Sequence, residues 1–374
     1  MRYRWFITVV AAAAAALIAG FTFAPSSNAS SNTTRSASGS RAVVAHAIPA
    51  AQVRATIRYW TPARMASAKP VDIIRRGSPT RVSSAPRPTG PAGSVPGRSP
   101  SGRLAPPLNP GGQGSGISLM GFSYPYPFTR FGVSPASLYK KFPWEVNGKV
   151  FFTNDGGNFV CSGTSVVSPD GLLVWTAGHC TANTDGTHHF DSFAEFVPAY
   201  NGTAANPAPK GVWVADNLVT TSAWLNNGDF SLDLGVMHVV AHSGVTLAQT
   251  VGDAGFAWNQ SRDQDFTDFG YPAASPFSGN FMIECNAAHG ADASVGGAGQ
   301  AAIGIGCDMT GGSSGGSWSI GWGGGTTKPT GLTVGFINGH NDFKFSSQPL
   351  AMYSPYFDDT ANGVRCALYG GAPC

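Results

Sequence analysis

From Val150 to Ile337 the apolar residues come in short runs, and turn residues interrupt them every few positions. Val150-Phe151-Phe152-Thr153 reads as a strand. Asn154-Asp155-Gly156-Gly157 is a hairpin turn signal, because Asn, Asp and Gly tolerate positive φ. Asn158 to Val167 reads as the return strand. Ser168-Pro169-Asp170-Gly171 turns the chain again into a third strand, Leu172 to Thr176. Further runs follow at Gly211 to Ala215, Leu234 to Val240, Phe266 to Gly270, Phe281 to Glu284 and Leu332 to Ile337. No stretch keeps a long helical period, and a short helix is expected only in the tail, Tyr353 to Leu368. Short strands at this spacing predict an all-β domain, a barrel or a sandwich. The 49 glycines, 27 prolines and 11% charged residues fit a loop-rich β-protein better than a helical one.

The net charge of +3 conceals a division. Residues 30–119 carry twelve Lys/Arg and a single acid, Asp72, whereas residues 120–374 carry nine Lys/Arg against nineteen Asp/Glu. The basic stretch is also rich in Ser, Pro and Ala, densest from Arg81 to Pro110. Such a composition buries too little apolar surface to offset its ordering entropy, so 30–119 is expected to be a disordered basic pro-segment or linker. Gly111-Gly112-Gln113-Gly114-Ser115-Gly116 has neither a strand before it nor a helix after it, which makes it a joint rather than a dinucleotide loop. Aromatics are sparse in the basic run beyond Tyr59-Trp60, so nucleic acid is not an expected partner.

The chain starts as an export signal does. Met1-Arg2-Tyr3-Arg4 is positive, Phe6 to Ala24 is apolar, and Ser27-Asn28-Ala29 supplies small residues for cleavage. A signal peptide over 1–29 predicts a secreted, extracellular protein with no stable membrane association after cleavage. All six cysteines, Cys161, Cys180, Cys285, Cys307, Cys366 and Cys374, fall in the acidic part. An even count in an exported chain suggests disulfides, for which 15 connectivities exist. No C-x-x-C pair is present, and neither a metal nor an organic cofactor is expected.

Three phrases carry chemistry. His179 stands at the end of a buried-looking strand, beside Cys180. Asp233 lies inside the apolar run Ser231 to Met237, and a buried carboxylate needs a partner such as an imidazole N–H. Ser314 sits in Gly311-Gly312-Ser313-Ser314-Gly315-Gly316, where glycine lets the backbone approach a ligand and N–H groups can face an oxyanion. Asp229 competes for the acid role and Ser313 for the nucleophile. Asp229 follows a turn glycine, however, and only Ser314 has Gly two positions before it and Gly-Gly after it. A nucleophile elbow of the α/β-hydrolase kind needs a helix after Ser and the order Ser, acid, His. Gly315-Gly316-Ser317 starts a helix badly, and no acid lies between Ser314 and His340.

The order His, Asp, Ser, with Thr176-Ala177-Gly178-His179-Cys180, Asp233-Leu234-Gly235-Val236 and Gly312-Ser313-Ser314-Gly315-Gly316, resembles the chymotrypsin-fold serine peptidases. The likeness is greatest to the secreted bacterial trypsin-like peptidases near the glutamyl endopeptidases, and it covers about Phe122 to Tyr369. It implies two six-stranded antiparallel β-barrels, about 120–245 and 246–374, with the active site in the cleft between them. It implies Ser314 as nucleophile, His179 as general base and acid, Asp233 as the group that orients the imidazole, and the N–H groups of Gly312 and Ser314 as oxyanion hole. The expected pairings are Cys161–Cys180, Cys285–Cys307 and Cys366–Cys374. The implied protein is a monomeric endopeptidase of the trypsin-like kind, acting on protein or peptide substrates. A catalytically inactive homologue that only binds is the alternative.

Two departures stand out. Ser313 replaces the Asp that precedes the nucleophile in animal trypsins, so activation here need not use that salt bridge. Asp308, six residues before Ser314, has the offset of the trypsin pocket acid, which favours Arg or Lys at the cleaved position; relatives near the glutamyl endopeptidases carry an acid there without that preference. Ile337 stands where acid-specific members have histidine, which argues against Glu specificity, and a one-residue slip would bring His340 into the pocket instead. The pocket residues are therefore expected among Asp308, Ile337 and His340, with no preference assigned. The opposed charges further suggest that 30–119 associates with the acidic domain and restrains it.

Overall fold

The computed structural model describes residues 42–374 apart from 83–86, 89, 109–121, 134–137, 185–187 and 324–333. The expected signal peptide and the Gly111–Gly116 joint lie outside the described residues. Six strands build the first half: β1 (Asn147–Asn154), β2 (Gly157–Val166), β3 (Leu173–Ala177), β4 (Ser192–Pro198), β5 (Trp213–Thr221) and β6 (Leu234–Val239). They pair antiparallel in the closed order β1-β2-β3-β6-β5-β4, and β4 returns to β1. The hairpin at Asp155-Gly156 has positive φ at both residues, as its sequence suggests. Val150, Phe152, Val174, Phe196, Trp213, Leu218 and Met237 fill the interior. Each side chain of that size stabilises the fold by roughly 1.5–3 kcal/mol against exposure.

The second half has β7 (Gly255–Trp258), β8 (Asp265–Gly270), β9 (Ile283–Ser294), β10 (Ala302–Gly306), β11 (Ser317–Ile320), β12 (Phe336–His340), β13 (Lys344–Phe345) and β14 (Ala351–Ser354). Its ladder runs β14-β10-β9-β8-β11-β12, and the bridge between Phe343 and Tyr353 brings the two ends of the path together. The expectation of purely antiparallel barrels needs one amendment: β7 pairs parallel with β12, Gly255 facing Phe336. The tail helix runs Asp359–Cys366 and packs Val364 and Ala361 into the core shared by Trp175, Phe256 and Phe357. Disulfides join Cys161–Cys180, Cys285–Cys307 and Cys366–Cys374.

The N-terminal segment corrects an expectation. Residues 42–81 are not a disordered linker but a folded strap. The strand Val43–Ala47 pairs antiparallel with β5, the helices Ala50–Tyr59 and Pro62–Ser67 follow, and Trp60 and Met65 are buried against Phe151 and Tyr200. Further along, Gly93–Val95 pairs with β7, and Arg98 binds the fully buried Asp253 through its backbone N–H (2.6 Å) and Nε (2.9 Å). Averaged over ninety residues the composition is that of a disordered chain. Its apolar residues, however, fall where an existing sheet edge and core can receive them, which composition does not reveal.

Candidate active site

His179 follows β3 in a short 3-10 turn, Gly178–Cys180, fastened to β2 by the Cys161–Cys180 bridge. Asp233 enters β6, which lies beside β3 with Leu234 opposite Ala177. The register brings the two residues together. Asp233 Oδ2 lies 2.7 Å from His179 Nδ1, and Oδ1 accepts the backbone N–H of His179, also at 2.7 Å. The carboxylate thus fixes both the ring and the chain that carries it. Glycine at 178 is required, since a Cβ there would lie 2.6 Å from Asp233 Oδ1. Burial disfavours the charged imidazole, but the Asp233 carboxylate outweighs it and raises the His179 pKa to about 10. His179 Nε2 is buried and has no hydrogen-bond partner among the described residues.

Ser314 lies across from this pair. Its carbonyl accepts the Ser162 N–H at 2.7 Å and is 3.7 Å from Cys180 Sγ. The loop that carries it is pinned by Gly315 N–H to Asn341 O and Asn341 N–H to Gly316 O, at 2.7 and 2.8 Å. Gly312 has φ +93, a conformation that only glycine adopts without strain. Ser313 Oγ donates to Thr310 O at 2.9 Å and so belongs to the turn. The strand β11 follows this loop, not a helix, which excludes the α/β-hydrolase arrangement. Asp229 accepts from Ser231 N and Ala298 N (2.9 and 2.7 Å), capping a turn away from His179.

A second carboxylate, absent from the sequence reading, joins the pair. Asp342 Oδ1 is 3.4 Å from His179 Nδ1, and Asp342 is fully buried in its side chain. Burial, followed by the neighbouring Asp233 charge, raises its pKa well above the usual carboxylate range. Burial and the Asp233 charge thus both push Asp342 toward its neutral form. Its only signal in the sequence is its place just after the β12 run.

The expected pocket residues separate. Asp308 pairs with Arg130, Nη1 to Oδ2 at 2.6 Å, while its Oδ1 is buried with no hydrogen-bond partner among the described residues. Ile337 is fully buried in the hydrophobic core. His340 is buried too: its Nδ1 accepts the Trp175 Nε1–H at 3.0 Å, and burial first of all lowers its pKa to about 3. Neither Ile337 nor His340 faces a cleft, because β12 directs both into the packed interior. The space beside Ser314 is lined instead by Met309, Thr310, Gly311, Phe343 and Lys344, together with Asp72 of the strap.

The strap crosses this cleft. Lys69–Pro70 pairs parallel with Phe159–Val160 of β2, and Val71 N–H donates to Val160 O at 3.1 Å. The Val71 carbonyl then accepts the Gly312 N–H at 2.7 Å. Beyond it, Ile74–Arg75 pairs parallel with β13, and Lys344 N–H donates to Ile73 O at 3.0 Å. Among the described residues, three sets of His, Cys, Asp or Glu atoms cluster at metal-binding distances. Two contain disulfide sulfurs, and the third is His179, Asp233 and Asp342.

No protein-family model and no curated protein sequence matches the chain. Solved structures do. A thermostable serine protease, AL20, from an extremophilic microorganism is 35% identical; the match covers 63% of this chain and 99% of that one, with a TM-score of 0.53. The chain is a serine protease of the chymotrypsin fold. The protease Anisep from Arthrobacter nicotinovorans is 36% identical over 57% of this chain and 90% of its own, with a TM-score of 0.48. A Glu endopeptidase is 17% identical over 64% of this chain and 95% of its own, with a TM-score of 0.46. In this serine protease, no helix among the described residues is long and apolar enough to cross a membrane.

Proposed function

We propose that this protease is a secreted endopeptidase made as a latent precursor, cleaving peptide bonds through an acyl-enzyme on Ser314. The observation that carries the reading is the doubly bonded His179–Asp233 pair, whose Nε2 has no partner among the described residues, with the Ser314 carbonyl 3.7 Å from Sγ of the adjoining Cys180. Ser314 Oγ attacks the peptide carbonyl while His179 Nε2 takes its proton. Asp233 holds Nδ1–H and stabilises the imidazolium that forms in this step. The N–H groups of Gly312 and Ser314 receive the oxyanion, and His179 returns the proton to the leaving amine. Water then repeats the cycle on the acyl-enzyme.

Latency follows from the strap. The Val71 carbonyl takes the Gly312 N–H that a substrate carbonyl needs, and both edges of the cleft are paired with residues 69–75. Residues 1–29 direct export, and removal of the strap opens the cleft. A fluorophosphonate probe tests the catalytic part: it is expected to label the processed wild type and not Ser314→Ala. Equal labelling, or none in either, would sink the reading and leave an inactive binding homologue.

A further inference from the structure

The pocket beside Ser314 contains a lysine that no sequence motif announced. We propose that Lys344 is the specificity-determining residue of this protease and directs cleavage to the carboxyl side of Asp or Glu. The inference rests on the peptidase reading above.

Lys344 follows Asp342 and Phe343 on the wall opposite Met309 to Ser314. Its Nζ donates to the carbonyls of Pro349 (2.7 Å) and Cys307 (3.5 Å). An ammonium has three N–H donors, so two neutral acceptors leave one donor without a hydrogen-bonded carboxylate. The residue is only 8% exposed, and a cation so buried gains far more from a carboxylate than one in water does. Burial lowers its pKa to about 8, with Asp308, Asp72 and Asp268 opposing.

The acids around it are already engaged. Asp308 is held by Arg130 at 2.6 Å. Asp268 is buried, bonded by Asn341 Nδ2 at 2.6 Å, and its pKa is raised well above the usual range, chiefly by burial. Asp342 is pushed toward its neutral form by burial and by Asp233. The remaining one is Asp72. It lines the same pocket, and it packs so closely on Gly311 that a Cβ there would lie 2.5 Å from its own Cβ. Burial raises its pKa and Lys344 lowers it. Asp72 is also the sole acid among residues 30–119, which carry twelve Lys/Arg. A basic segment thus places its one carboxylate in a pocket that adjoins Ser314 and holds a buried lysine. That placement is the one expected of a stand-in for the preferred substrate side chain. The acid expected to favour basic residues, Asp308, is meanwhile paired with Arg130.

The test uses the full chain as secreted and processed, with fluorogenic peptides that differ only in the residue before the scissile bond. Glu and Asp are expected to exceed Gln and Asn in kcat/KM by about tenfold to a hundredfold, the worth of a hydrogen bond to a charged group. Lys344→Met is expected to bring that ratio to about one, and Lys344→Glu to move the preference toward Lys and Arg. In the unprocessed chain, Asp72→Asn is expected to speed fluorophosphonate labelling of Ser314, while Asp72→Glu stays slow; this reading survives even if the Lys344 variants do not fold. Equal cleavage after Glu and Gln by active wild type, an unchanged ratio in a folded Lys344→Met, or unchanged labelling in Asp72→Asn would overturn the assignment and leave the peptidase reading standing. Absence of any Ser314-dependent hydrolysis or labelling would overturn both.

Discussion

The Gly312 N–H points at the Val71 carbonyl across 2.7 Å, so the strap holds the very donor that the nucleophile loop presents. Flanking ladders on β2 and β13 prevent the strap from simply swinging aside. Loss of one oxyanion donor costs about 10²–10³ in rate in related chemistry. The unprocessed chain is therefore expected to react with a fluorophosphonate at least about 10²-fold more slowly than the processed one. Labelling rates before and after N-terminal processing of one preparation, followed by intact mass, check this. Equal rates would mean that the strap does not gate Ser314.

The site was legible where one local phrase held both the residue and its reason. His179 beside Cys180, Asp233 within an apolar run, and Ser314 among glycines each had such a phrase. Asp342 had none: its part comes from β12 ending beside His179, a tertiary fact. The pairing of Asp308 was equally hidden, because its partner, Arg130, lies 178 residues earlier in the chain. The strap was hidden by averaging. Val43, Trp60, Met65 and Val71 are few within ninety residues, but each meets a sheet edge or a core that the rest of the chain supplies.

Asp233 lies 2.7 Å and Asp342 3.4 Å from His179 Nδ1, and burial pushes Asp342 toward its neutral form, so their isosteric amides are expected to differ. Asp233→Asn removes the carboxylate that accepts Nδ1–H and is expected to lower kcat about 10⁴-fold, with KM little changed. Asp342→Asn replaces a group already pushed toward its neutral form and is expected to cost far less. Asp342→Glu pushes a longer carboxyl against Asp233 and is expected to be worse than the amide. Steady-state kinetics on the three variants decide it; equal losses in both amides would assign Asp342 an ionised role.

Arg98 is the anchor at the far end of the strap. Its partner, Asp253, has a fully buried side chain, whereas Arg98 keeps 29% exposure. Arg98→Met retains the stem but leaves Asp253 without its cation, and breaking a buried pair costs about 3–5 kcal/mol. The partial exposure places the expected loss at the lower end of that range. Urea unfolding of the full chain measures it, and a loss within error of zero would show that Asp253 finds water or another donor.

Glu195 has a fully buried side chain on β4, and neither of its carboxyl oxygens has a hydrogen-bond partner among the described residues. Burial alone pushes its pKa up to about 9. An unfolded glutamate titrates near ~4.3. Between those values the folded state holds a proton that the unfolded state has released, so this group makes stability fall as pH rises. Its contribution is complete below about pH 4 and is lost progressively up to about pH 9. Glu195→Gln keeps the shape and cannot ionise, so it is expected to remove that part of the slope. Wild type and variant are compared by urea unfolding at pH 5 and pH 8. The expected result is a variant that gains on the wild type as pH rises; parallel losses in the two proteins would place the titration elsewhere.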